Sequence, residues 1–228
     1  MIDVDIPQLT SDGINFGYRS FYYTYSLQSS STHPLIFLSF DATGLENYIN
    51  FGKQEPTVSS TVIRNRTEFN SIPLDVEDLW IGRFDTSDVS EFSPSRFQSL
   101  KTLVIGNGLF WSVKILELNN LTSLQILYIG NGCFGKLRVF ELDGLSELES
   151  VVIGERSFRI DKKERSDGSY RIVNCPKLKS IQIGYESFED YHSFELNNLP
   201  SLQSIGIGAY CFLWAPSFSL TGLIDGLI

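Results

Sequence analysis

The chain has 228 residues, of which 42% are hydrophobic and 20% charged, and its formal net charge is −9. That apolar content supports one domain or one short repeat array with a buried core, and excludes a chain disordered by composition. The acidic balance argues against a nucleic-acid partner, whose phosphates call for clustered Lys and Arg, and the longest apolar run, Leu35-Ile36-Phe37-Leu38, is too short for membrane insertion.

The start, Met1-Ile2-Asp3-Val4-Asp5, carries acids where a signal peptide has a basic segment and a long apolar stretch. Three cysteines, Cys133, Cys175 and Cys211, cannot all pair with one another. Both features favour a cytoplasmic setting. Residues 1–75 keep no regular frame, but the alternating stretches Ile14-Asn15-Phe16-Gly17-Tyr18 and Leu35–Phe40 predict strands, as does the aromatic cluster Phe21-Tyr22-Tyr23-Thr24-Tyr25.

From residue 76 onward the chain repeats. Ile-Gly recurs at Gly82, Gly106, Gly130, Gly154, Gly184 and Gly208, spaced by 24, 24, 24, 30 and 24 residues. The frame around it repeats as well: Leu124, Leu127, Ile129, Gly130 and Phe134 occupy the same slots as Leu100, Leu103, Ile105, Gly106 and Phe110. The same slots return through Phe158, Phe188 and Phe212, whereas the earliest coil has its phenylalanine displaced to Phe84. The spacing predicts a short strand with alternate residues inward, in a unit too small to form a core without its neighbours. Glycine after the isoleucine suits either a positive φ or a close approach of backbone.

Leu124-Gln125-Ile126-Leu127-Tyr128-Ile129 and Leu202-Gln203-Ser204-Ile205-Gly206-Ile207 resemble the strand of a leucine-rich repeat. The family's downstream asparagine is replaced by Gly108, Gly132, Arg156, Glu186 and Tyr210. The pattern Ile-Gly-x-x-Ser/Cys-Phe (Ile153 to Phe158, Ile183 to Phe188, Ile207 to Phe212) is instead similar to the Ile-Gly-x-x-Ala-Phe of BspA-like leucine-rich repeats. The resemblance covers residues 76 to about 223 and implies a solenoid that binds other proteins.

A second strand is predicted at Leu116-Glu117-Leu118, Phe140-Glu141-Leu142, Phe194-Glu195-Leu196 and Phe218-Ser219-Leu220, each followed by turn residues. The expected fold is therefore a repeat solenoid, leucine-rich-repeat-like, of about six coils of short parallel strands with little helix. At ~4.8 Å per stacked strand it would be roughly 25–30 Å long. Solenoid ends expose core, which casts 1–75 as an irregular β-rich N-terminal cap or degenerate repeats, with a small separate β domain as the alternative, and 76–228 as the array. The six extra residues, near 161–170, have flanks at Arg159–Asp161 and Ser169–Ile172 that favour a protruding hairpin around Asp167-Gly168. At the other end, Leu223-Ile224 and Leu227-Ile228 either fold back as a cap or continue into a longer array.

The chemistry on offer is sparse. The cysteines fall in repeat slots held elsewhere by Leu109, Ser157 and Leu121, and read as small core residues. His192 reads as a turn histidine, and no metal-ligand pair, phosphate loop or nucleophile motif is present. No cofactor or metal is expected. Asn65-Arg66-Thr67 and Asn120-Leu121-Thr122 match the glycosylation pattern by chance. Glu117, Glu141 and Glu195 share one slot of the second strand, interrupted by Arg171, which would relieve their repulsion. This ladder would bind a basic partner or cation, or merely be solvated.

The outward slots of the first strand carry Asp78 and Trp80, Val104, Ile126 and Tyr128, Val152, and Gln182. Trp80, Val104, Ile126, Tyr128 and Val152 make an apolar, aromatic stripe that fades to polar in the last coils. Such a stripe suits a protein or peptide partner, unless the N-terminal segment covers it. The sequence thus points to a binding scaffold rather than an enzyme. The alternatives are a structural module of a larger repeat protein, or a β-helix enzyme acting on carbohydrate.

Overall fold

The computed structural model describes residues 14–16, 60–82, 84–160 and 168–222. Along the chain its strands are β1 (Ile14–Phe16), β2 (Thr61–Ile63), β3 (Asp78–Ile81), β4 (Glu91–Phe92), β5 (Thr102–Ile105), β6 (Ile115–Leu116) and β7 (Ile126–Ile129). They continue as β8 (Val139–Asp143), β9 (Ser150–Ile153), β10 (Ser169–Val173), β11 (Ser180–Ile183), β12 (Ser193–Asn197), β13 (Ser204–Ile207) and β14 (Ser217–Thr221). The one α-helix, α1 (Arg66–Asn70), is five residues long, and none is long and apolar enough to cross a membrane among the described residues. The predicted segments 17–25 and 35–40, the tip 161–167 and the end 223–228 lie outside the described residues.

These elements wind into a parallel β-solenoid of about six coils. One wall is an eight-stranded parallel sheet, ordered β1-β13-β11-β9-β7-β5-β3-β2. The other is a four-stranded parallel sheet, β14-β12-β10-β8, with the short pair β4-β6 nearer the start of the array. From β3 to β13 the register never slips: Leu79, Leu103, Leu127, Val151, Ile181 and Ile205 stack rung on rung. Alternation forbids a one-residue slip, which would turn every buried Leu and Ile outward.

The repeat glycines resolve the choice left open by the sequence in favour of close approach. A Cβ on Gly154 would lie 2.6 Å from the carbonyl carbon of Gly130 and 2.7 Å from the amide of Asn131, and Gly184 and Gly208 are as tight. The amide of each repeat glycine also donates to the isoleucine carbonyl one coil earlier, as from Gly154 to Ile129 at 2.7 Å. Left-handed backbone occurs elsewhere, at the corners. It falls at the slot of Gly132, Arg156, Glu186 and Tyr210, and at the repeat phenylalanines themselves, Phe110 to Phe212. A third corner after the second strand uses Asn120, Gly144, Asn174 and Asn198, the residues that best tolerate this conformation.

Bending the backbone at the phenylalanine turns its ring into the core. Phe110, Phe134, Phe158, Phe188 and Phe212 form a stacked column with centroids 4.5–5.6 Å apart. A second column, Phe140, Tyr170, Phe194 and Phe218, rises from the other sheet at 4.8–5.2 Å. The two meet edge to face, as Phe140 does with Phe158 at 71° and Phe194 with Phe212 at 76°. Each such pair contributes about 0.5–1.5 kcal/mol beyond area burial. Tyr170 is the odd member, since its buried hydroxyl has no hydrogen-bond partner among the described residues.

Two expectations need correction. Ser169–Ile172 is not the arm of a protruding hairpin: it belongs to β10, the coil's own second strand, paired in parallel with β8 and β12. Gly168 is not a tip either, as its carbonyl accepts from the amides of His192 and Ser193 in the next coil. The inward pattern of Tyr170 and Ile172, which are fully buried, sets this segment in the coil's own core. Likewise the strand expected at 116–118 is confined to Ile115–Leu116.

A Gly154→Ala chain should lose roughly 2–3 kcal/mol of stability by forcing stacked backbones apart. Gly144→Asn should stay within about 0.5 kcal/mol, because that corner is open and asparagine already serves it in three coils. Urea melts of both variants check the contrast.

Candidate functional site

Two surfaces follow from the strand pattern. On the eight-stranded sheet, Trp80, Val104, Tyr128, Val152 and Gln182 are successive partners across β3, β5, β7, β9 and β11. Asp78 and Ile126 lie in the parallel row two residues earlier. All seven residues are therefore on one face. Val104 is buried, at 8% exposure, between its neighbours Trp80 and Tyr128, and the other six are half-buried. Burial raises the Tyr128 phenol above its usual pKa. The row fades through Gln182 to Gly206, beyond which Asn15 of β1 continues the rungs.

The second surface is the carboxylate ladder. Arg171 of β10 stands in register between Glu141 of β8 and Glu195 of β12. Its guanidinium donates to Glu141 at 2.5 Å and to Asp143 and Glu195 at 3.2 Å each. These bonds, led by that to Glu141, raise the Arg171 pKa further above its ordinary value. The expected relief of repulsion is thus direct, and Asp143 is a partner that the sequence pattern did not single out. Glu117 does not share this cluster. It lies beyond the end of β6, and its carboxylate accepts from the Ser93 hydroxyl at 2.5 Å. The slot is one period before Glu141, but the four-stranded sheet begins only at β8.

The cysteines serve the core. Cys133, Ser157, Ser187 and Cys211 fill one slot in successive coils, and each donates to the repeat-glycine carbonyl of the coil before. The distances are 3.2 Å for Cys133 to Gly106, 2.9 Å for Ser157 to Gly130, 2.7 Å for Ser187 to Gly154 and 3.0 Å for Cys211 to Gly184. Cys175 is equally buried, in the slot of Leu145 and Leu199. Desolvation raises the thiols of Cys133 and Cys175 to about 11 and that of Cys211 further. Among the described residues no group of three or more His, Cys, Asp and Glu side chains could hold a metal. Asn65, in the first glycosylation match, caps α1 by accepting from the Glu68 amide at 3.0 Å.

Sequence reasoning missed a third surface on the turn leading into the second sheet. Trp111, Lys114, Gly135, Lys136, Arg138 and Val139 line a cavity of about 650 Å³ there. Trp111, Ile115 and Val139 are 48%, 51% and 50% exposed, three of only four large hydrophobic residues so exposed among those described. The signal was available as the pairs Lys114/Arg138 and Ile115/Val139, each one 24-residue period apart, but these flank the repeated frame rather than belong to it. Comparison with protein-family models, curated proteins and solved structures returned no match.

Two outcomes follow. Arg171→Gln should cost about 1 kcal/mol at low salt, and less at high salt, because its pairs are part-exposed and screened. Paired urea melts at the two ionic strengths read this directly. Native protein should resist thiol alkylation at neutral pH, whereas urea-unfolded protein should label at all three cysteines. The neutral thiols favour the fold below the free-thiol pKa of about 9, and that contribution is lost as pH climbs towards 11. Cys133→Ser, which copies Ser157, should fold normally and lose less stability over that alkaline range.

Proposed function

We propose that the array is a non-enzymatic binding scaffold that holds a protein or peptide on the outer face of the eight-stranded sheet. The observation that carries this reading is the unbroken register that sets Trp80, Tyr128 and Val152 in one row, with Asp78, Ile126 and Gln182 supplying further contacts. A rigid parallel sheet holds such a row without ordering cost, and Trp and Tyr are the side chains that most often anchor a partner. The resemblance of the repeats to BspA-like leucine-rich repeats supports the same reading. No cofactor, metal or nucleic acid enters it.

A glycosidase would need two carboxylates free to act on the substrate as acid, base or nucleophile. Glu141 and Glu195 are instead both held by Arg171, a structural arrangement that favours the scaffold over the β-helix enzyme. Asp143 and Arg171 extend that cluster as a secondary polar surface of the same scaffold.

The test is an affinity capture from a lysate of the source organism, comparing the natural chain with a Trp80→Ala/Tyr128→Ala variant that melts as a folded protein. Partners retained by the natural chain should fall by at least about tenfold on the variant. Equal capture by both would remove the sheet face from consideration.

A further inference from the structure

We infer that the cavity beside Trp111 is a second docking site, separate from the sheet face, and that it takes an acidic peptide segment carrying a large apolar side chain. The wall of this site is built rather than incidental. The Trp111 indole lies directly against the Cα of Gly135, where any Cβ would collide with the ring. The Trp111 carbonyl accepts from the Lys136 amide at 3.1 Å, which fixes the turn that carries both residues. A large aromatic ring is thus held in one pose with 48% of its surface open to solvent. Its other side borders a second cavity of about 500 Å³ with Phe84, Asp85 and Ser87.

The charge around it runs against the rest of the molecule. The chain carries a net charge of −9, and most of the described Lys and Arg residues are paired with acids, as Lys101 is with Glu77 and Lys179 with Glu149 at 2.7 Å each. Arg159, on the far side of the cavity, is bound to Glu186 and Glu189. Lys114 and Lys136 are exposed and have no ion pair among the described residues. Two unneutralised ammonium groups beside a half-open indole call for an anion that also has an apolar part.

The aliphatic surface selects the class. Val139 lines the cavity and Ile115 lies one coil earlier, both half exposed. A pyranose ring would use the indole but leave these branched side chains exposed. A leucine or phenylalanine of a peptide would cover Val139 together with Trp111, while neighbouring Asp or Glu side chains reach Lys114 and Lys136. The cavity volume admits one such anchor with its flanking residues.

The experiment is selection from a displayed library of random heptapeptides on the full natural chain. Peptides that bind a Trp111→Ala/Lys136→Gln variant are subtracted, and folding of the variant is checked by its melt. The expected result is enrichment of Asp or Glu next to Leu, Phe or Ile. A selected peptide should bind at least about tenfold more weakly to Trp111→Ala, and Lys114→Gln/Lys136→Gln should flatten its salt dependence. The Trp80→Ala/Tyr128→Ala variant should bind it unchanged, which separates this site from the sheet face. No enrichment over the variant, enrichment without acids, or binding of tetragalacturonate through Trp111 without any peptide would overturn the proposal.

Discussion

The close contact of one coil's backbone with the next at the Ile-Gly step governs the structure. With Gly154 seated against Gly130 at a distance that excludes any Cβ, the coils pack at the hydrogen-bonding separation of a parallel sheet. That separation sets everything else in the stack. It brings Phe158 and Phe188 to 4.5 Å, within stacking range. It places the Ser187 hydroxyl 2.7 Å from the Gly154 carbonyl, so that buried carbonyl has a partner. It sets Arg171 within reach of carboxylates on both neighbouring coils. A single short-range requirement therefore generates the hydrophobic, polar and ionic ladders together.

Long-range order was legible in the sequence because these ladders repeat. The glycine spacing of 24 fixed the strand positions, and Leu, Ile and Phe in constant slots fixed which side faces inward. Even the slot shared by Glu141, Arg171 and Glu195 could be read before any distance was known. What could not be read was whatever depended on the path between strands. The glycine carried two readings, and only the neighbouring backbone chose between them. Ser169–Ile172 read as a hairpin arm beside a turn signal, but its inward alternation, with Tyr170 and Ile172 buried, places it in the coil's own second strand. Glu117 kept its place in the period but lost its sheet, because the first coils form only the short β4-β6 pair on that side.

The surface near Trp111 was hidden for a related reason. Periodicity reveals what every coil shares, whereas Trp111, Gly135 and Arg159 fill the residue after the repeat phenylalanine with three different side chains. Structure needs only a corner at that slot, so its side chain varies from coil to coil. Gly135 leaves space and Trp111 occupies it, which makes the indole a packed wall rather than a mobile appendage. A repeat protein is most informative about its core where it is regular and about its surfaces where it is not.

The edges pose the remaining physical problem. A parallel sheet ends in a row of unpaired amides and carbonyls, and a stack of coils that touch only their neighbours can open one coil at a time. Here β1, from the beginning of the chain, pairs in parallel with β13 near the end of the array, Asn15 beside Gly206. This pairing satisfies the edge that β13 would otherwise present. It also joins residues far apart in sequence, so opening the last coil must break a contact with the first strand as well as with its neighbour. The loop that this contact closes is long, and closure entropy grows only logarithmically with loop length. Ordinary strand pairing can therefore offset it, and a stack whose contacts are otherwise local gains one pairing between strands far apart in sequence.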